Sequence, residues 1–81
     1  MDGYEVRVNL REFERRLINC ADRDRSNLKD AIAAEMAEVL VMERQLSRLL
    51  TSCNNASERL LLKEEYDNVS KYLVGLKSLN E

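Results

Sequence analysis

Between residues 28 and 53, apolar side chains return every three or four positions: Leu28, Ile32, Met36, Val39, Met42, Leu46, Leu49 and Cys53. That period places them on one face of an α-helix. It predicts a helix over 27–52, roughly 39 Å long at the α-helical rise. A second stripe follows a polar interruption. Leu62, Tyr66, Val69, Leu73 and Leu76 step by four, three, four and three. This heptad spacing predicts a helix over 56–79 with a seam for a neighbouring helix. Thr51, Ser52, Asn54 and Asn55 supply turn chemistry between the two, and Asn55 followed three residues later by Glu58 has the form of a capping box. A connection of only a few residues reverses the chain, so the two helices are expected to lie antiparallel.

The N-terminal third carries a weaker version of the same pattern. Asn9 and Glu12 form another possible capping box, and Leu10, Phe13 and Leu17, then Cys20 or Ala21, recur at helical spacing. They predict a first helix over 9–21. Residues 22–27 are all polar and include Asp, Ser and Asn, which favour caps and turns. We expect a break there, with one continuous helix bearing a solvated turn as the alternative. The expected fold is all-α, a single domain over 1–81: an antiparallel helical hairpin with a short additional N-terminal helix.

Such a hairpin has more apolar surface than its seam can hide. Leu60, Leu61 and Leu62 are consecutive, so they point in three directions from one helix. The central helix has a second stripe, Ala33, Ala37, Leu40 and Val41, and the last helix has a flank of Leu61, Tyr72 and Leu79 beside its seam. The first helix offers Leu10, Phe13 and Leu17. From these faces the expected partner-binding residues are Leu10, Phe13, Leu17, Leu40, Val41, Leu61 and Tyr72. The competing expectation is that the first helix folds back and closes a three-helix bundle. Even so, a helix of about a dozen residues cannot cover two longer ones. Gly75 interrupts the last helical pattern, and we read it as fraying near the helix end in preference to a close approach to a partner.

Composition narrows the function classes. The 81 residues carry 13 basic and 15 acidic side chains, a net charge of -2, which lacks the basic excess of a nucleic-acid binder. Arg7, Arg11 and Arg15 share a helix face but have Glu12 and Glu14 beside them, so a solvated face is expected. There is no histidine, and the two cysteines, Cys20 and Cys53, are far apart in sequence, so no disulfide, zinc site or activated thiol is expected. The alternating oxygens of 22–26 begin like a calcium loop. The pattern fails at Asn27, where glycine is needed, and at Ala33, where the closing glutamate belongs. No catalytic residue, cofactor or metal is expected. The acidic N-terminus has no apolar signal segment, and the longest nearly apolar run, 31–42, is broken by Glu35 and Glu38. It falls short of the ~20 residues that span a bilayer. A cytoplasmic protein with reduced thiols is expected, contacting neither membrane nor nucleic acid.

Several of these features together resemble a known family. They are the opening Leu10-Arg11-Glu12-Phe13-Glu14-Arg15-Arg16-Leu17, the long central helix over 28–50, the turn at Asn54-Asn55, and the closing helix with Tyr66, Val69, Tyr72 and Leu76. In length, order and pattern, over about 9–79, the chain resembles the small E-type (YscE-like) co-chaperones of type III secretion needle subunits. The resemblance implies a non-enzymatic bacterial protein. Its partner would be a larger chaperone of tetratricopeptide-type repeats, and the pair would keep a needle subunit monomeric before export. The alternative is a homodimeric coiled-coil scaffold or adaptor, with the chain pairing with itself when alone.

The seam makes a direct prediction. Leu46→Asp or Leu73→Asp places an unpaired carboxylate in the expected inter-helix core, at a cost of several kcal/mol, comparable to the whole stability of a small domain. Thermal melts of both variants should lose their cooperative transition, and unchanged melts would show that these residues do not form the seam.

Overall fold

A computed structural model describes residues 1–81 as three helices and no strands: α1, Gly3–Asn19; α2, Asp22–Ser52; and α3, Ala56–Leu79. α3 starts behind Asn55, whose side chain accepts a 3.1 Å hydrogen bond from the Glu58 amide. α1 starts six residues earlier than the expected Asn9. Its cap is Asp2, whose carboxylate accepts from the Glu5 amide at 2.7 Å. Asp2 and Glu5 have the same spacing as Asn9 and Glu12, so local chemistry offers two starts. Tertiary packing selects the earlier one, because it brings Met1 and Val6 onto the core. The N-terminal helix is therefore 17 residues long rather than a dozen.

The break also lies elsewhere than expected. The chain leaves helical geometry at Cys20 and Ala21, which both adopt extended dihedrals, and 22–27 belongs to α2. Asp22 and Asp24 occupy the first turn of α2, where carboxylates oppose the positive end of the helix dipole. These residues suit a helix start as well as a turn, so the local chemistry admits either position for the break. α2 gains a turn and more at its N-terminus and reaches 31 residues, about 46 Å.

One core joins the three helices. Val6 comes from α1, Ile32, Val39 and Leu46 from α2, and Val69, Tyr72 and Leu76 from α3. α2 and α3 share the largest contact surface; α1 packs mainly on α3 and less on α2. Polar contacts mark the joints: Ser70 Oγ donates to Glu43 at 3.1 Å, and the Tyr72 hydroxyl donates to Glu35 at 3.3 Å. Along the other side of α3 the Met1 ammonium meets Glu65 at 3.1 Å, and Leu10 lies over Gly75. Contacts that climb both helices together show that α1 runs parallel to α3. The molecule is elongated, 50 × 20 × 14 Å, with a radius of gyration of 14.8 Å. A compact chain of this length would have about 12 Å.

Gly75 lies inside α3, where it admits α1. A Cβ built there would stand 2.6 and 2.8 Å from the two Leu10 methyl carbons. The glycine is thus not a sign of fraying, and the close approach it allows is to the chain's own first helix.

This contact predicts a change of sign. Alanine is favoured over glycine in a helix by about 1 kcal/mol, whereas overpacking a formed contact costs about 1–3 kcal/mol. Gly75→Ala should be neutral or destabilising in the wild-type chain and stabilising in a Leu10→Ala background. Denaturant midpoints of the four proteins measure this, and equal stabilisation in both backgrounds would show that Leu10 does not rest on Gly75.

Candidate partner-binding surface

The structure divides the expected binding residues into two groups. Leu10, Phe13 and Leu17 are half-buried, because α1 folds back and lays this stripe against the core. Tyr72, expected on an outer flank, is 1% exposed and is one of the largest side chains of the core. The reason is geometric: Tyr72, Gly75 and Leu79 lie on the side of α3 that α1 covers. By contrast, Leu40, Val41 and Leu61 are exposed. The structure does not bring these three together. Leu40 and Val41 stand on the outer side of α2 with Ala33 and Ala37, whereas Leu61 stands near the turn end of α3.

Apolar side chains outside the expected binding residues also reach solvent. Leu49 belongs by spacing to the main stripe of α2 but is 53% exposed, and Leu60 is more exposed still. Both lie in the part of α2 and α3 that α1 does not reach. On α1 itself, Tyr4, Val8 and Ile18 face outward, opposite Val6, Phe13 and Leu17. Arg11 and Arg15 lie between them and line an open depression with Val8 and Ile18. Glu12 pairs with Arg16 at 3.3 Å, one turn on. Tyr4 and Val8 were outside the expected first helix, and only the earlier helix start would have placed them on a common face with Ile18.

The total accessible surface is 6017 Å². A folded monomer of this mass would expose about 5,000 Å². The surplus follows from the unequal helix lengths, since α1 is about 20 Å shorter than α2.

Cys20 and Cys53 are half-buried free thiols at opposite ends of α2, so the helix itself holds them too far apart to be bridged. No helix is long and apolar enough to cross a membrane.

The one strongly shifted titration belongs to Tyr72. Burial, followed by the Glu35 charge and its hydrogen bond, pushes the Tyr72 hydroxyl up from 10.0 to about 12, against a smaller opposite effect of a hydrogen bond with Asn9. The hydroxyl therefore ties α3 to α2 through Glu35, and Asn9 of α1 borders the same side chain. Compared with known proteins, the chain matches no family model, no curated protein and no solved structure.

The Tyr72 shift sets a pH window. Its folded pKa lies above the unfolded value, so the contribution to stability is complete below pH 10 and is lost as pH rises through about 12. Urea midpoints should fall across that range in the wild-type protein and fall less steeply in Tyr72→Phe, which has no hydroxyl to ionise. Parallel slopes for the two proteins would show that Tyr72 does not titrate in this window.

Proposed function

We propose that the chain is a non-enzymatic binding module whose partner is a helical-repeat chaperone, with which it keeps a self-assembling needle subunit of type III secretion monomeric in the bacterial cytoplasm. The observation that carries the binding part of this reading is the exposure of Val41, Leu49, Leu60 and Leu61, each more than half open to solvent on a domain with only seven buried residues. In this reading α2 and α3 are the antiparallel hairpin of the co-chaperone family and α1 is its additional helix, strapped along α3. The Glu35–Tyr72 and Glu43–Ser70 contacts support that arrangement. The chaperone identity rests on the resemblance in length, order and pattern.

The physical logic is mutual. A helical-repeat chaperone leaves an end or flank of its solenoid uncovered. This chain leaves apolar faces uncovered because its own core is small. Association removes both from water and stabilises each partner by mass action. The alternative, a homodimeric coiled-coil scaffold, has less to draw on. The heptad seam from Leu62 to Leu76 packs within the chain, with Val69 and Leu76 at 0% exposure.

The test is co-purification with a helical-repeat chaperone, read beside circular dichroism. Val41→Glu and Leu61→Glu should keep the helical signal, since both side chains are exposed. Each should weaken the heterocomplex at least about tenfold, equivalent to ~1.4 kcal/mol. Normal binding by both variants would place the interface elsewhere. A homodimer that persists unchanged in the presence of the chaperone would favour the scaffold.

A further inference from the structure

The side of α3 that receives α1 is a stripe at four-three spacing: Leu61, Glu65, Asn68, Tyr72, Gly75 and Leu79. α1 fills most of it. Met1 meets Glu65, Gly3 approaches Asn68, and Leu10 covers Gly75. Leu61 is the next position on the stripe towards the turn, and nothing covers it; it is 68% exposed. α2 shows the same interruption. Glu35 touches Tyr72, and Met42 and Leu49 follow it at heptad spacing. Met42 is half-buried, whereas Leu49 is open. The groove that holds α1 thus continues beyond it as an empty notch with an apolar floor. The notch is about 13 Å long, from Glu65, which Met1 meets, to the start of α3 at Ala56, which is room for about nine helical residues.

Its charge is mostly negative where it meets α1. There a depression between α1 and α3 is lined by Met1, Asp2, Glu5, Glu64 and Glu65 around Leu61, and its one cation, the Met1 ammonium, is taken by Glu65. Asp2 caps α1 and Glu65 holds the Met1 ammonium, but Glu5 and Glu64 are in no ion pair. The apolar floor calls for leucine-like anchors, and the rim calls for cations beside them.

We infer that the notch between α2 and α3 beyond α1 receives an amphipathic helix of a partner protein whose apolar stripe is flanked by lysine or arginine, so that the partner helix continues the layer that α1 begins. Two features support a helix as the occupant. The first is that the same groove already holds one. The second is that its exposed anchors, Leu49 and Leu61, stand on facing helices, as the floor of a helix-binding groove requires. The unpaired Glu5 and Glu64 select the charge. The inference rests on the chain being a binding module and specifies the chemistry of one of its surfaces.

The test uses two synthetic helical peptides with the same leucine stripe, one flanked by lysines and the other by glutamates, titrated into the intact chain by fluorescence anisotropy. The lysine peptide should bind and the glutamate peptide should not. Glu64→Lys and Leu61→Ser should each weaken the lysine peptide at least about tenfold. Asp30→Lys makes the same charge change on an exposed part of α2 outside the notch and should weaken it less than about twofold, since exposed charges more than a Debye length apart are largely screened. The inference is overturned by equal binding of both peptides, by an equal effect of Asp30→Lys, by the absence of binding, or by a Leu61-dependent self-dimer that excludes the peptide. If any of these occurs while the chaperone complex stays intact, the notch assignment fails and the co-chaperone reading stands. Loss of the chaperone complex with peptide binding retained separates the two in the other direction.

Discussion

Tyr72 sits where the three helices meet, and its burial constrains all of them. A tyrosine ring buried to 1% exposure adds a large apolar area to the core, but its hydroxyl requires a partner there. Glu35 of α2 supplies the acceptor, and Asn9 and Phe13 of α1 border the same side chain. The ring therefore fixes the register of α3 against both neighbours. Three residues further along α3, Gly75 lets Leu10 reach the backbone, so α1 can lie close enough to seal the ring. α3 is consequently packed along two adjoining sides, one towards α2 and one towards α1, and its remaining face is polar apart from Leu60 and Val74.

The lengths of the helices turn this local arrangement into an elongated, unevenly covered shape. α2 runs almost the full 50 Å of the molecule, while α1 covers little more than half of it. Where α1 is present, three helices bury one another. Beyond it, two helices stand side by side with leucines on both flanks. A domain with so small a core is marginal by itself, and its stability depends on anything that binds the folded state selectively. The exposed leucines near the turn are therefore best understood together with that marginality, since one partner helix would cover them and lengthen the core.

α1 has two unlike faces. Its inner stripe of Val6, Leu10, Phe13 and Leu17 completes the fold, and its outer stripe of Tyr4, Val8 and Ile18 is left to solvent between arginines. The inner face explains why residues that look available in the sequence are not free to bind. The outer face shows that even a helix committed to the core adds apolar surface on the far side.

Much of the local structure was legible in the residues. The Asn55–Glu58 cap, the stripe from Leu62 to Leu76 and the main stripe of α2 depend on spacing and on side chains within a few positions, and these are written directly in the chain. The helical class follows from the same periodicity and from the absence of proline. Other features needed the tertiary structure. Asp2–Glu5 and Asn9–Glu12 are equivalent caps locally, and only the packing of Met1 and Val6 selects the first. The polar stretch 22–27 suits a turn or a helix start, and the position of α1 against α3 moves the break to Cys20 and Ala21. Tyr72 and Leu61 lie on one stripe of α3 with similar patterns around them. One is buried and the other exposed because α1 ends between them, and that boundary is a property of two helices side by side, which no periodicity within either helix contains.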